Sequence, residues 1–369
     1  MSCNPIAPQR AVDNPWWVDQ AGRPGLKMIE SHNSGSNTSG NQAPAPDLMV
    51  VGELNVDLIL ENVNELPALG KERIAGRMKL TLGSSSAILA SNASRLGLKV
   101  GFVGALGADS FGGYVRDALM DAGVDTSQLL TREHESTGLT VIYTHGGERG
   151  MLTYPGAMER LAFEELPLPY VTAASHLHLS SYYLQPTLRP DVPRLFRVAR
   201  EAGMSTSLDT NWDPDESWDD DLYEVFPFVD VFLPNDEEAR HIAREGNLQR
   251  AIEKLAAHVG TVVVTCGSDG AIARTGDQQW VGPSLPVDPV DAVGAGDSFN
   301  AGFLSAFLRG RPLADCLAAG TTAGAFSTTC AGGTDAFAHM ERYQRFELEM
   351  LPRASAVEYT EFSRAERDV

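Results

Sequence analysis

Asp288–Asn300 reads DPVDAVGAGDSFN and holds the densest chemistry in the chain. Gly294, Ala295 and Gly296 carry almost no side chain, so backbone can approach a ligand there. An apolar-periodic stretch follows. Phe299, Phe303 and Phe307 recur at i, i+4 and i+8, which predicts a helix over Ser298–Leu308. Its free N–H groups and positive dipole end would face whatever lies over the glycines, which makes an anion site. Asp297 falls at or near the N-cap, with Asp291 upstream of the glycines. Donors for negative charge beside a base for a hydroxyl are what phosphoryl transfer needs. The helix end is expected to keep Asp297 ionised at pH 7. The plain alternative is an Asp N-cap after a glycine turn. The chain has no Walker-type G-x-x-x-x-G-K-S/T and none of the protein-kinase motifs.

Two further segments carry suitable groups. Gly52–Asp57 reads GELNVD; Asn55 and Asp57 lie two apart at a strand exit and share a face. An amide beside a carboxylate suits sugar hydroxyls, although a turn with a solvated Asp reads the same way. Pro234–Glu238 reads PNDEE. Asn235 and Glu238 could contact phosphate-bound Mg2+ directly or through water. The plain alternative there is a capped helix with acids in its first turn.

Strands and helices must alternate to place these segments together. Apolar runs at Leu48–Gly52, Lys99–Val103, Ala174–Leu179, Ser205–Asp209, Val229–Leu233 and Thr261–Thr265 read as strands. Helical patterns at Ser84–Leu96, Tyr114–Ala122, Val192–Ala202, Asp236–Arg244, Leu248–His258 and Leu313–Thr328 fall between or after them. That order predicts an α/β fold with a parallel sheet covered on both faces and ligands at the strands' carboxyl ends. Two β-rich runs flanking His145–Gly150 predict a hairpin. His176-x-His178 lies in an apolar strand with no third ligand nearby, and Pro214 breaks the calcium-loop echo in Asp209-x-Asn211-x-Asp213.

The chain has 369 residues, with 29 Lys and Arg against 49 Asp and Glu, a net charge of −20. Such a balance argues against nucleic acid and anionic membranes as partners. No apolar run reaches the ~18 residues of a membrane span. The 4 cysteines form no C-x-x-C pair, which suits a reducing, cytoplasmic setting. Residues 1–46 include the polar run SHNSGSNTSGNQAPAP and read as a disordered tail, with Trp16-Trp17 as its one apolar feature.

In this order, the segments resemble the ribokinase-like (PfkB-type) family of small-molecule kinases over about residues 47–335. The resemblance rests on Asp291–Phe299, GELNVD, Gly83–Gly97, Thr153–Ala157, Asn235-x-x-Glu238 and Thr265–Gly270. It implies a three-layer α/β sandwich with a mostly parallel central sheet and a small β-sheet lid from about 60–82 and 137–156. The kinase domain would span 47–345 and a C-terminal extension 346–369.

The activity implied is ATP-dependent phosphorylation of a sugar hydroxyl by in-line transfer. Asp297 would be the base, and Gly294, Ala295 and Gly296 would form the anion hole. Asn55, Asp57, Gly83, Ser84 and Ile88 would meet the acceptor. Thr265, Gly267 and Gly270 would line the ATP site. Asn235 and Glu238 would serve Mg2+, and Asp291 matches a position associated with a monovalent cation such as K+ in some members. Three positions depart from the pattern. Ala292 replaces a commoner Thr, Ser84 a usual Gly, and Ile88 an Asn that contacts sugar in ribokinase. The last argues against ribose. A nucleoside kinase of the same fold is the alternative, with Tyr182-Tyr183 as stacking candidates. A non-catalytic sugar or nucleotide sensor is more remote, because Asp297 and GAGD are intact. The lid's exposed strand edges would suit a homodimer.

Overall fold

The computed structural model describes residues 45–145 and 148–358. The expected tail, with Trp16 and Trp17, lies outside these residues up to position 44, as do Gly146 and Gly147 at the hairpin tip and residues 359–369.

Fifteen strands are formed among the described residues: β1 Leu48–Val51, β2 Asn55–Glu61, β3 Arg77–Leu82, β4 Val100–Val103, β5 Ala105–Gly107, β6 Leu130–Arg132, β7 Gly138–His145, β8 Glu148–Tyr154, β9 His176–Leu179, β10 Ser205–Leu208, β11 Val231–Phe232, β12 Thr261–Thr265, β13 Ala271–Thr275, β14 Gln278–Gly282 and β15 Val357–Glu358. The main sheet has the order β15-β14-β13-β12-β11-β10-β9-β1-β4. Pairing is parallel from β4 to β12 and antiparallel through β13, β14 and β15.

Period-2 alternation builds the two faces of this sheet. On β1, Met49 and Val51 join one core and Leu48 and Val50 the other. The first core takes the apolar faces of the helices Val192–Glu201, Asp236–Ala243 and Leu248–Ala256. The second takes those of Ser85–Arg95, Ser110–Asp121, Ala295–Phe307 and Leu313–Ser327. Three layers result, as a sheet apolar on both faces requires.

A separate four-stranded sheet has the order β3-β2-β7-β8. β2 and β7 run parallel; the outer pairs are antiparallel. It rises from the end of β1, so Asn55 and Asp57 at the start of β2 sit where the two sheets meet. The short pair β5–β6 and the antiparallel strands β13 and β14 were not legible as apolar runs. The expected boundary at residue 345 falls inside a helix, Met340–Met350. Phe346 and Met350 pack on the core beyond it, and β15 adds to the sheet edge, so residues 346–358 belong to the main body.

Candidate active site

The helix that carries Asp297 starts earlier than its phenylalanine pattern suggests. It spans Ala295–Phe307 and is capped by Gly294 at φ 72°, a left-handed conformation that favours glycine. A Cβ on Gly294 would stand 2.6 Å from Gly333 Cα and 3.2 Å from Ile88 Cδ1, so packing also demands glycine. A Cβ on Gly296 would meet nothing within 4 Å. Gly294 therefore shapes the loop, and Gly296 leaves the space open. Asp297 lies inside the first turn, not at the cap. Ser298 N already donates to Gly294 O at 2.9 Å and Ala295 N to Ala292 O at 3.3 Å, so the first-turn N–H groups left without a helical acceptor are those ahead of Ser298.

Asp297 is pushed up to about 8, first by burial and then by repulsion from Asp209, Glu53 and Asp57, against a hydrogen bond from Ser85. This overturns the expectation of an ionised carboxylate at pH 7. The dipole of one helix end is outweighed by desolvation and three like charges.

The acceptor residues meet at the foot of the small sheet. Asn55 Nδ2 donates to Asp57 Oδ1 at 3.0 Å and to Thr140 Oγ1 at 3.1 Å, and Thr140 meets Thr153 at 3.0 Å. Burial lifts Asp57 to about 7, with Glu53 and Asp291 adding to it and Asn55 opposing. A side chain on Gly83 would overlap Asp57 Oδ1, which explains the glycine. Ser84 adopts φ 69° where a second glycine is usual; its hydroxyl caps the next helix by accepting from Ala87 N at 2.9 Å and donates to Glu53 O at 2.7 Å. Ile88 is not an open wall of the pocket. Its apolar side chain is 2% exposed and drawn beneath Gly294 and Gly333.

Two carboxylates escaped the sequence reading. Glu53 accepts from Ser84 Oγ at 3.1 Å, from Ser86 N at 3.2 Å and from Ser86 Oγ, and burial raises it. Asp209 accepts from Asn300 Nδ2 at 2.7 Å and Asn211 N at 3.0 Å; burial and Glu238 raise it to about 8. Its place at the carboxyl end of β10 was the available signal, obscured by the calcium-loop echo. Asn211 Nδ2 also reaches Ser181 Oγ at 3.2 Å and Ser85 Oγ at 3.3 Å.

Asn235 and Glu238 form a capping box: Asn235 Oδ1 accepts from Glu238 N at 2.8 Å, and Glu238 Oε2 accepts from Asn235 N at 3.0 Å. Glu238 is nonetheless coupled to the site, since burial and then Asp297 raise it to about 7 while its cap hydrogen bonds oppose. The capped-helix reading of PNDEE is observed. An isolated bridge joins Asn235 to Thr265, which brings the Thr265–Gly270 turn alongside. There Cys266 N donates to Gly270 O at 2.8 Å. A side chain on Gly270 would overlap Gly282 O, whereas one on Gly267 would meet open space. Asp291 accepts from Val293 N at 3.0 Å and from Gly332 N at 2.9 Å.

Tyr182 and Tyr183 do not face this cleft. Both are buried in the first core, with the Arg189 guanidinium 5.2 and 5.0 Å from their ring centres. Among the described residues no helix is long and apolar enough to cross a membrane.

The glycine-capped start of the helix Ala295–Phe307 thus carries Asp297 within electrostatic reach of the Asn55–Asp57 pair. Residues 45–339 match the profile described as pfkB family carbohydrate kinase, and the chain belongs to that family. It is thus an ATP-dependent carbohydrate kinase. It is similar to the ATP-dependent ribose-1-phosphate kinase of Halopiger xanaduensis, 31% identical over 71% of this chain and 84% of that protein. The nucleoside kinase of Methanothermobacter thermautotrophicus is 28% identical over 73% of this chain and 85% of that one. The fold matches the ribokinase of Arabidopsis thaliana solved with ribose and ATP at TM-score 0.71, with 24% identity, covering 82% of this chain and 98% of that one.

Proposed function

We propose that this kinase transfers the γ-phosphoryl group of ATP to a hydroxyl of a small sugar-type acceptor held by Asp57, with Asp297 as the general base. The observation that carries this is the meeting of Asp297, in a helix's first turn beside open Gly296, with Asp57 and Gly83 across the cleft. Asn55 orients Asp57. Ser85, itself accepting from Asn211 Nδ2, orients Asp297. The first-turn N–H groups stabilise charge on the transferring group. In the free protein a value of about 8 leaves Asp297 largely protonated at pH 7, so it serves as base where bound positive charge favours the carboxylate.

The Thr265–Gly270 turn suits ATP, since Gly267 leaves room on the side of the metal residues. The donor set fits Mg2+. Burial and Glu238 raise Asp209, and burial and Asp297 raise Glu238, so these carboxylates crowd one region. An ion carried on phosphates and water would meet Asn235 and Glu238 at its outer contacts. When bound, it supplies the positive charge this cluster lacks. Asp291 is better assigned to holding the Gly332 turn than to K+.

A nucleoside acceptor is the second reading. Trp212, next to Asn211, is 40% exposed and braced edge-on by Trp218 and His241 at 5.0 and 5.4 Å, so it offers a flat face near the cleft. The test is an ATP-consumption panel with Mg2+ across hexoses, pentoses, ribose 1-phosphate and nucleosides. Turnover on a sugar above the nucleosides supports the first reading; a nucleoside preference installs the second. No turnover on any of them defeats both.

A further inference from the structure

The two halves of the site are clipped together by one lysine. β3 pairs with β2 so that Thr81 stands opposite Asp57 and Lys79 opposite Ile59. Thr81 and Lys79 are two apart and share the face that carries Asp57. Lys79 Nζ donates to Ala331 O and to Asp335 Oδ2, the latter at 2.6 Å. Between these anchors, a Cβ on Gly332 would stand 2.8 Å from Thr81 Oγ1. The small sheet therefore grips the turn at 331–335 at consecutive points.

The other side of that turn holds the catalytic helix end. Gly332 N donates to Asp291 Oδ2 at 2.9 Å. Gly333 O accepts from Asn92 Nδ2 at 2.9 Å and from Ser298 Oγ at 3.4 Å. Gly333 also packs against Gly294, whose left-handed turn sets the start of the helix. Ser298 follows Asp297 directly. A continuous set of contacts thus runs from Asp57 through Thr81 and Lys79 to Gly294 and Asp297.

We infer that Lys79 is a positioning residue that couples the small sheet to the helix end, so that phosphates bound at the helix end order the sheet that holds the acceptor. The inference rests on the site assignments proposed above. Coupling of this kind is reciprocal: an acceptor ordering the sheet favours the phosphate-binding geometry by the same factor. The Lys79–Asp335 pair is 31% and 48% exposed at its two side chains, so it adds little to fold stability. Its loss should therefore show in coupling rather than in unfolding.

The test is amide hydrogen exchange in β2 and β3 of the full chain, with and without Mg–AMP-PNP, alongside the nucleotide Kd from titration calorimetry. In the wild type, the nucleotide should slow exchange in β3 by about fivefold or more. Lys79→Met should lose that slowing while its nucleotide Kd stays within about twofold and its melting temperature holds. Lys79→Arg, which keeps the donor, should retain it, and Asp335→Ala, which removes one of two anchors, should give an intermediate loss. Slowing as large in Lys79→Met as in the wild type, or none in a wild type that binds nucleotide, overturns the inference. A wild type that binds no nucleotide defeats the kinase site instead. The clip is then judged by the nucleotide-free samples, where unchanged β3 exchange in Lys79→Met overturns it.

Discussion

The sheet interior and the cleft at its carboxyl edge both bury polar side chains, with opposite outcomes. In β9 and β10 every imidazole nitrogen has a hydroxyl beside it. His176 meets Ser205 and Ser207, and His178 meets Ser207 and Ser180, each at 2.7 Å. Burial holds both rings neutral, lowering each to about 3. At the carboxyl edge, burial first and neighbouring carboxylates second push Asp57, Asp209, Glu238 and Asp297 up to about 7 or 8. Satisfied buried groups define a structure; like charges crowded together define a place that awaits a cation or a proton.

The largest effect that would break this contrast is on turnover. Asp297→Asn should lower kcat by ~10²–10⁴-fold, because the amide cannot take a proton. The fold should hold or gain, since a crowded carboxylate is removed. Steady-state kinetics with a melting curve checks both halves; activity within about threefold of wild type defeats the base assignment.

Next in size is the acceptor. Asp57→Ala should raise KM for the acceptor by about 10–100-fold and leave KM for ATP nearly unchanged, since charge-assisted hydrogen bonds contribute ~1.5–3 kcal/mol each. An unchanged acceptor KM would remove Asp57 from the pocket.

The satisfied region should respond in stability alone. His178→Ala leaves Ser207 and Ser180 short of a partner in a buried strand and opens a void. A loss of about 2–4 kcal/mol in denaturant unfolding is expected, with kcat intact once the protein is folded. A specific fall in kcat at full foldedness would mean the chain of hydroxyls and imidazoles serves the cleft.

How far the sequence reaches follows the same division. Short apolar runs such as those of β1 and β12 revealed the parallel sheet, because a strand buried on both faces is largely apolar. GAGD and GELNVD pointed to Asp297 and Asp57 as candidates, because each motif is local. Asp209 and Glu53 matter only through neighbours far along the chain, Asn300 and Ser86 among them. No local pattern announces that. Ile88 shows the converse: its substitution for a polar residue was legible, but its packing under Gly294 and Gly333 needs the fold. The neutralised state of Asp297 was misjudged for the same reason, since three of its four largest perturbers lie outside its own segment by more than eighty residues.

The smallest predicted effect separates the two regions by pH. Below about 6.5, unfolded histidines take up protons that folded His176 and His178 refuse, so their contribution to stability is lost as pH falls. The crowded carboxylates have the opposite sign. Their ordinary values are 3.8 for Asp and 4.5 for Glu, against about 7 to 8 when folded. Between those values the folded state binds more protons than the unfolded state, so stability falls as pH rises. Above about 6.5 the histidine contribution nears its full value and changes little further, which leaves the window from 6.5 to 8.5 mainly to the carboxylates. Across it the melting temperature of the free protein should drop by a few degrees. Asp297→Asn should flatten that drop and His178→Ala should not. Saturating Mg–ATP should stabilise more at pH 8.5 than at 6.5, because a cation gains most where the cluster is charged. A melting temperature that rises across this window would mean the cleft carboxylates are already ionised in the free protein, and the contrast between the two regions would fail.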